Sequence, residues 1–438
     1  MTHKGLRERL KGKEIKVFCF ATILLFLAAG VIAQSMGLGM GEETISLMEG
    51  LGRLVVSRDA LITDYFELAG YGAAFCNGVL VLGIGYWLLC VEKMPFTGLT
   101  LAAFFINAGY TLWGKNPLNI LPILFGTWLY AKVHKARFGR YIYTALFGTS
   151  LAPLVTELVF ILPFDWRINL IIAAFTGIFV GFTVPPLAMH TASMHMGYNL
   201  FNVGFATGIL AFVLVCVMKS LGFESTSVMI WREGRPVWLV AGLCSYFVLA
   251  FCYGLYIEKG DWRKLLKIWK HPGRAVADFV MMDGPGVTLM NMGLVGLVCT
   301  VYICLIGGDF SGPVVGAILT AFGFSAFGVH IKNYLPVMAG VALAALVPKY
   351  ELVTPGIQLA ALFAVGLAPI AGQFGPAAGV IAGLLHAAIV TCTSALYGGL
   401  NLYNNGFSAG WVAIVMVPVV ESFMTRFHER KRRKKHDT

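Results

Sequence analysis

Residues Asp64–Asn77 read DYFELAGYGAAFCN, and residues Asp278–Asn291 read DFVMMDGPGVTLMN. They begin a longer internal repeat, because positions 64–133 align without a gap on positions 278–347, a shift of 214 residues (278 − 64). In this alignment 19 of 70 positions are identical, against roughly 6 expected from composition. More than half of the identical positions are Gly, Asn, Pro or Asp. The chain is therefore predicted to be a duplicated unit.

A shorter repeat lies further along each half of the chain. Residues Asn199–Gly208 read NLFNVGFATG, and residues Asn401–Gly410 read NLYNNGFSAG. From these repeats we predict the domains 1–60 (basic segment, first span and outer loop), 61–218 (repeat one), 219–274 (linker with span 8 and a basic cytoplasmic loop), 275–425 (repeat two) and 426–438 (basic tail).

Apolar residues dominate the whole chain. Of its 438 residues 58% are hydrophobic and 13% are charged, and the mean hydropathy is +0.77, whereas soluble domains are nearer one quarter charged. Apolar runs of about 18 residues or more recur from end to end, each long enough to cross a hydrocarbon core of about 30 Å. We predict an all-α polytopic membrane protein with about fourteen hydrophobic segments. Segments 2 to 7 recur as segments 9 to 14, and segments 3 and 4 are predicted at 96–113 and 118–133.

The net charge of +11 is concentrated in four basic clusters, each beside a predicted span. Lys and Arg near span ends resist translocation, so basic loops stay in the cytoplasm. Counted over fourteen spans, all four clusters fall on one face, and we expect cytoplasmic termini in a bacterial cytoplasmic (inner) membrane. A nucleic-acid-binding patch would need a soluble domain, for which no loop is long enough. The clusters are Lys4–Lys16, Lys132–Arg140, Lys259–Arg274 and Arg426–Lys435.

The number of spans between the two copies sets their relative orientation. Seven predicted spans separate the start of repeat one from the start of repeat two, and this odd number predicts an inverted-topology repeat with spans 1 and 8 outside the duplicated unit. After Pro153 the first copy takes 24 residues to reach Gly177, whereas the second takes 10 from Pro369 to Gly379. Spans 12 and 13 are therefore the candidates for truncated or re-entrant segments.

Asparagines at membrane depth are the leading candidates for binding a solute. Asn offers a donor and an acceptor without a charge that must be desolvated, and inverted-repeat transporters bind substrates near the midplane, between the repeats. The alternative for each is structural, since Asn also bonds neighbouring helices or freed carbonyls. The candidates are Asn77 and Asn291, Asn119 and Asn333, Asn199 and Asn202, Asn401 and Asn404, and Lys115 near Asn119.

Few ionisable residues lie inside the apolar segments. Glu157 is the one carboxylate deep in an apolar run, and coupling to a proton or cation is the leading role for such a residue. A static pair with an Arg or Lys elsewhere in the chain is the alternative. Its repeat partner, counted from the prolines, is Gln373, while His386 is either a further coupling residue or a packed core residue. Lys115 either attracts an anion or snorkels.

The sequence contains none of the motifs of a serine hydrolase, a zinc protease or a nucleotide-binding loop. The nine cysteines lie in apolar segments without the paired spacing of a metal site. We therefore expect neither a metal nor another cofactor, and no enzyme activity. One alternative is an integral-membrane enzyme acting on a lipid-linked substrate, with Asp165, His190 and His195 as its polar residues. The other is a non-transporting membrane scaffold.

Three stretches resemble a bacterial multi-span membrane family of unknown function: Gly114-Lys-Asn-x-x-Asn119-x-x-Pro122, Ala145–Pro153 (ALFGTSLAP) and Asn401-x-x-Asn-Asn-Gly-Phe407. The resemblance covers roughly residues 57–421 and implies no substrate. The segment Gly70–Asn77 is also similar to the urea-transporter architecture, itself an inverted duplication.

The sequence thus predicts a secondary transporter or facilitative channel for a small polar solute. Its partners are that solute and the lipid bilayer, and nucleic acid is not among them. The substrate, the coupling ion and assembly into a homo-oligomer are left open at this point.

Overall fold

The computed structural model describes residues 12–39, 45–59, 61–224, 228–347, 351–393, 396, 398–402 and 404–436. Most of the first basic cluster, in residues 1–11, lies outside the described residues, as do the side chains of the basic tail. The described part of the chain is an all-α bundle, as predicted, with one small two-stranded sheet.

The helices follow the apolar runs, because a chain in lipid must satisfy its backbone polar groups internally. Two short strands, β1 (Leu61–Thr63) and β2 (Val228–Ile230), pair in parallel. In chain order the helices are α1 (Glu14–Ser35), α2 (Leu47–Val56), α3 (Tyr65–Val91), α4 (Gly98–Tyr110), α5 (Pro117–Val133), α6 (Ile142–Gly148), α7 (Ala152–Ile161), α8 (Trp166–Met194), α9 (Asn202–Ser220), α10 (Val237–Ile257), α11 (Leu265–Ile268), α12 (Phe279–Met282), α13 (Pro285–Ile306), α14 (Gly312–Phe324), α15 (Ile331–Ala344), α16 (Pro355–Phe363), α17 (Ala368–Phe374), α18 (Pro376–Thr393) and α19 (Asn404–His436).

Duplicated glycines mark duplicated breaks in these helices. Gly70 interrupts α3 with a φ of +78°, and its repeat partner Gly284 precedes α13 with a φ of +95°. Only glycine adopts this backbone region without a steric penalty. The repeat has thus kept glycine where the chain must turn before entering its first long helix.

Ten helical segments in the described residues are long and apolar enough to cross a membrane: α1, α3, α6–α7, α8, α9, α10, α13, α16–α17, α18 and α19. The predicted spans 12 and 13 correspond to α16–α17 and α18. Segment α16–α17 has 20 residues, as has its counterpart α6–α7, whereas α18 has 18 residues against 29 in its counterpart α8, so the shortening expected there is found in α18. Both segments are still long and apolar enough to cross a membrane. The short helices are α4 and α5, with 13 and 17 residues, and their counterparts α14 and α15, with 13 and 14. At 1.5 Å per residue they reach only about 20–26 Å.

Helices α4 and α5 form a hairpin, called hairpin 1 here (98–133). The segments that lead into and out of this hairpin both contact the C-terminal end of α3. The ring of Phe96, just before α4, lies 5.6 Å from that of Tyr86 near the end of α3. Beyond α5, the N–H of Gly139 donates to the carboxylate of Glu92, the residue that follows α3, at 2.9 Å. The equivalent helices α14 and α15 form hairpin 2 (312–344).

The two hairpins pack against each other antiparallel through α4 and α14. A side chain at Gly109, near the end of α4, would overlap the carbonyl of Gly316, near the start of α14. Capping is exchanged between the copies. The carboxylate of Asp64 accepts from the N–H of Gly312 at 3.0 Å, and that of Asp278 accepts from the N–H of Gly98 at 2.9 Å. Each copy thus caps the first helix of the other copy's hairpin.

Helices α1 and α10 also have matched places, although they were predicted to lie outside the duplicated unit. Gly30 of α1 packs on the backbone of α3 at Gly72, and Gly254 of α10 packs on α13 at Gly286, the repeat partner of Gly72. The structural repeat therefore begins further upstream than the sequence repeat.

Candidate functional site

Two cavities flank the centre of the bundle. Vestibule 1, of about 410 Å³, is lined by the segment Asn199–Gly204 together with residues of α4, α6, α8 and α14. Vestibule 2, of about 260 Å³, is lined by Asn401, Leu402, Asn404 and Asn405 together with residues of β1, α16 and α18. Each could hold several water molecules and a small solute.

The two vestibules are built from corresponding residues of the two copies. The vestibule 1 residue is written first in each pair, and all of them line their cavity: Val276 and Ile62, Phe327 and Trp113, Tyr143 and Leu359, Asn199 and Asn401, Leu200 and Leu402, Asn202 and Asn404. The repeat has therefore produced the same cavity twice.

Non-helical segments position the Asn-Leu motifs at both vestibules. The N–H of Leu200 donates to the carbonyl of Gly366 at 2.9 Å, and the N–H of Leu402 donates to the carbonyl of Ser150 at 3.2 Å. Ser150 and Gly366 lie in the 3-10 turns Thr149–Leu151 and Ala364–Leu367, which interrupt α6–α7 and α16–α17. An interrupted helix exposes carbonyls that need a donor, and each copy supplies that donor to the other.

Four buried aromatic rings, called the aromatic plug here (Trp113, Phe201, Phe324 and Phe363), separate the vestibules. Phe324 and Phe201 line vestibule 1, with ring centroids 4.8 Å apart. Phe363 follows at 6.2 Å from Phe201, and Trp113, which lines vestibule 2, lies 6.5 Å from Phe363. The rings form a continuous series of aromatic contacts from one cavity to the other.

The predicted site residues Asn77 and Asn291 hold the tips of the two hairpins. The amide of Asn77 donates to the carbonyls of Thr111 and Lys115, both at 2.8 Å. The amide of Asn291 donates to the carbonyls of Ser325 and Val329, at 2.8 and 2.7 Å. Both side chains are buried and neither lines a vestibule.

Asn119 and Asn333 have an equally local role. Each accepts from the backbone N–H three residues earlier and donates to the carbonyl of the hairpin glycine, Gly114 or Gly328, at 3.1 or 2.9 Å. These bonds close the turn that begins α5 or α15. In the structure the pairs Asn77/Asn291 and Asn119/Asn333 thus hold backbone breaks.

The remaining asparagine candidates lie at the vestibules. Asn202 accepts from the hydroxyl of Thr191, and Asn404 accepts from that of Thr393, both at 2.8 Å, so each ties the start of a helix to the preceding one. Asn199 donates to the carbonyl of Gly406 at 3.1 Å. Asn401 is buried on the wall of vestibule 2.

The predicted coupling residues and Lys115 lie at separate places in the structure and do not form one site. Glu157 is buried and forms an ion pair with Arg58, which was the static alternative, whereas its repeat partner Gln373 is exposed. The ammonium group of Lys115 is buried and donates to Asn107 and Thr149, at 2.8 and 2.7 Å. His386 is buried, with a ring nitrogen 3.1 Å from the amide oxygen of Asn405.

The residues considered for a membrane enzyme lie far apart. Asp165 caps the start of α8, whereas His195 follows its end, about 43 Å away for a helix of 29 residues. His190 is exposed on the last turn of that helix. Within the described residues, no group of three or more His, Cys, Asp or Glu side chains could hold a metal ion.

Sequence reasoning missed the aromatic plug. Trp113 aligns with Phe327, and Tyr110 aligns with Phe324, so aromatic character is repeated even where identity is lost. Counting aromatic pairs in the alignment would have drawn attention to these positions.

Comparison with known families agrees with the duplicated architecture. The family model described as "Protein of unknown function (DUF1576)" matches residues 43–220 and 257–422. The chain belongs to this family, which confirms the predicted membership of an uncharacterised family. None of the curated proteins and none of the solved structures matches the chain.

Proposed function

We propose that this chain is a membrane transporter or facilitative channel for a small, uncharged polar solute. The observation that carries the proposal is the pair of vestibules built from corresponding residues and separated by the aromatic plug. A path that is open on two sides and closed in the middle is what alternating access or a gated pore requires.

The proposal includes an inverted topology. Five of the ten long apolar segments lie in each half: α1, α3, α6–α7, α8 and α9 in the first, and α10, α13, α16–α17, α18 and α19 in the second. If each crosses the bilayer once and the hairpins return to the side from which they came, the odd number five inverts the second half. Re-entrant segments are tolerated at membrane depth where protein surrounds them, and every residue of α14 and every residue of α4 except Leu99 is buried.

The same count places the basic clusters on one face. The loops 132–140 and 259–274 and both termini then share a side, which the positive-inside rule assigns to the cytoplasm. We accordingly place the protein in the cytoplasmic membrane of a bacterium with both termini inside. Vestibule 1 opens toward the cytoplasm, and vestibule 2 opens away from it.

Cysteine labelling tests this topology. We would introduce Thr144→Cys in vestibule 1 and Thr354→Cys in vestibule 2, after replacing the exposed Cys216, Cys252 and Cys392 by serine. A membrane-impermeant maleimide should label Thr144→Cys in inside-out vesicles and Thr354→Cys in right-side-out vesicles. Labelling of both from one side would contradict the inverted arrangement.

The lining of the vestibules indicates an uncharged solute. No Asp, Glu, Lys or Arg occurs among the described residues that line either cavity. A charged solute would lose its hydration there without gaining an opposite charge. Asn and Thr side chains line vestibule 2, among them Asn405 and Thr354, and such side chains can hydrogen-bond an amide or a hydroxyl group.

Solute flux in proteoliposomes tests the function directly. Glycerol and urea serve as uncharged probes, and vesicle volume is followed by stopped-flow light scattering. Wild-type protein should accelerate influx of at least one probe over empty liposomes. Phe363→Ala, which removes the central ring of the aromatic plug, should accelerate it further, and the milder Phe363→Leu covers the case in which the alanine variant does not fold.

The matched control is Phe175→Ala on α8, because this phenylalanine is 68% exposed and lies away from the plug. It should behave as wild type. Influx no faster than in empty liposomes for wild type and both Phe363 variants, with the protein folded, would overturn the proposal.

A further inference from the structure

A charged cluster, called the copy-one cluster here (Arg58, Asp59 and Glu157), lies behind the tip of hairpin 1. The guanidinium group of Arg58 pairs with the carboxylate of Glu157, which is fully buried. Asp59 is also buried, and its carboxylate accepts from the hydroxyl of Tyr65 at 3.0 Å. The amide of Asn119, in hairpin 1, lies 3.5 Å from the same carboxylate. The cluster therefore has two carboxyl groups for one guanidinium group.

The second copy replaces the cluster with close backbone packing. Pro272 and Gly273 stand at the positions of Arg58 and Asp59, and Gln373 stands at that of Glu157. A side chain at Gly273 would overlap the carbonyl of Gly328, at the tip of hairpin 2. The tip of hairpin 2 is thus held by close backbone packing and by His330, whose ring nitrogen lies 2.9 Å from the carbonyl of His271, whereas the loop beside hairpin 1 carries an Asp carboxylate at the equivalent place.

A buried carboxylate without a cation of its own is costly, and the cost disappears when the group takes up a proton. Arg58 is directed at Glu157, so Asp59 is the carboxyl that this argument singles out. We infer that Asp59 binds the proton that is coupled to solute movement, an inference that rests on the proposed function. Proton uptake converts the carboxylate to a carboxylic acid, and no other bond is made or broken.

The surroundings of Asp59 support this role. Burial, with a smaller contribution from the charge of Glu157, raises the pKa of Asp59 to about 7, against the opposing hydrogen bonds from Tyr65 and Thr156. The titratable groups that face it are Tyr65 at the start of α3 and Glu157 on α7. A group that titrates near pH 7 responds to the pH differences found across bacterial membranes.

The cluster also lies close to residues that line vestibule 2, so a change in its charge can alter the wall of that cavity. Ile62, three residues beyond Asp59, lines that cavity, and so does Trp113 in the tip of hairpin 1. Asn119 joins the tip to Asp59, because its amide also donates to the carbonyl of Gly114 at 3.1 Å. Neutralising Asp59 weakens the contact between the loop and the hairpin, and with it the closed wall of vestibule 2.

The accessibility of a cysteine at Ile62 tests the inference without a known substrate. Ile62→Cys is made in the full chain with the three exposed cysteines replaced by serine, and labelled in proteoliposomes with a membrane-impermeant maleimide at pH 6 and pH 8. Met48→Cys, at a position 77% exposed on α2, corrects for thiol ionisation. The corrected labelling rate should be about tenfold higher at pH 6, because the protonated fraction of a group titrating near pH 7 falls from about nine tenths to about one tenth.

Two variants decide which group is responsible. Asp59→Asn should make the corrected rate independent of pH, at the level that wild type shows at pH 6. Glu157→Gln should move the transition to lower pH, since Arg58 is then freed to stabilise the Asp59 carboxylate. A wild-type rate that does not depend on pH, or a dependence that survives in Asp59→Asn, overturns the inference.

Parallel flux measurements with glycerol and urea separate the two proposals. Flux with a pH-independent labelling rate would leave the transport proposal standing and remove Asp59 from it. A pH-dependent labelling rate, without flux of either probe in wild type or the Phe363 variants, would contradict the transport proposal. Asp59 would then be a proton-binding group in a protein that does not carry these solutes.

Discussion

Substituting Gly109 by alanine should separate the two hairpins at their closest contact. A methyl group there would overlap the carbonyl of Gly316, and a methyl group at Gly316 would in turn lie 2.6 Å from the carbonyl of Gly109. Ordinary contact needs about 3.4 Å or more, so the helices must move apart by about 1 Å. The cap beside this contact, from Asp64 to Gly312, would lengthen with them. The cap from Asp278 to Gly98 lies at the other end of α4, about 16 Å away.

The change in the free energy of unfolding expected for Gly109→Ala is the sum of opposing contributions. Overpacking a tight interior costs about 1–3 kcal/mol, and weakening one charge-assisted hydrogen bond adds about 1.5–3 kcal/mol. Alanine in place of glycine inside a helix returns about 1 kcal/mol. The net loss of stability for Gly109→Ala should be about 2–4 kcal/mol. At about 2.1 cal/mol/K per residue the unfolding entropy of the chain is about 0.9 kcal/mol/K, so the unfolding midpoint should fall by about 2–4 °C.

Thermal unfolding in detergent at a fixed scan rate measures this effect. The matched control is Gly242→Ala on α10, because a methyl group there meets open space. It should leave the midpoint unchanged or raise it slightly. If Gly109→Ala were as stable as Gly242→Ala, the antiparallel contact between α4 and α14 would not be the tight one described above.

Three further predictions concern Asn77, Glu157 and Asp59. Asn77→Ala leaves two buried carbonyls without their donor, so it should lower stability by about 2–4 kcal/mol while leaving the probe flux per folded molecule unchanged in proteoliposomes. Glu157→Gln should cost about 2–3 kcal/mol, after a discount for the partly exposed Arg58, and denaturant unfolding should show partial recovery in the double variant with Arg58→Gln. Because the pKa of Asp59 is raised to about 7 in the fold, against about 3.9 when unfolded, the native state holds more protons between these values. Unfolding measured from pH 4 to 7 should therefore show stability that falls as the pH rises, and this fall should be absent in Asp59→Asn.

The duplication was readable from the sequence, but the hairpins were not. Residues 96–133 are apolar enough to resemble two spans, and a hydropathy count does not record where a chain turns back. The turn depends on Asn77, whose partners Thr111 and Lys115 lie 34 and 38 residues away. Contacts of that separation belong to the tertiary structure, which a pattern of single residues does not specify.

The role of the asparagines was open for a similar reason. A side chain that offers a donor and an acceptor suits a solute as well as it suits a freed carbonyl. Asn291 and Asn333 were as good candidates as Asn401 in the sequence. Only the structure separates those that hold a backbone break from the one that lies on a cavity wall.

The packing of α1 and α10 shows that two helices can hold equivalent positions in a structural repeat with little sequence similarity. Gly30 and Gly254 are the positions at which α1 approaches α3 and α10 approaches α13 closely, and most other residues of α1 and α10 are not buried. One small residue at the crossing point suffices to fix such a contact. The first helix of each unit could thus diverge until its kinship was no longer visible in the sequence.

The two copies differ where charge is buried, and this difference bears on mechanism. The paired residues Asp64 and Asp278 are retained because both hairpins need the same cap. Lys115 aligns with Val329, and Asp59 aligns with Gly273. Among the described residues, the buried Asp, Glu and Lys side chains (Asp59, Asp64, Lys115 and Glu157) all belong to the first half of the chain. Burying such groups costs free energy in any membrane protein, and a passive pore with two equal gates would gain nothing from doing so in one copy alone. Under the proton coupling proposed above, the asymmetry gives the proton a binding site beside one vestibule only, because Asp59 contacts hairpin 1, whose Trp113 lines vestibule 2.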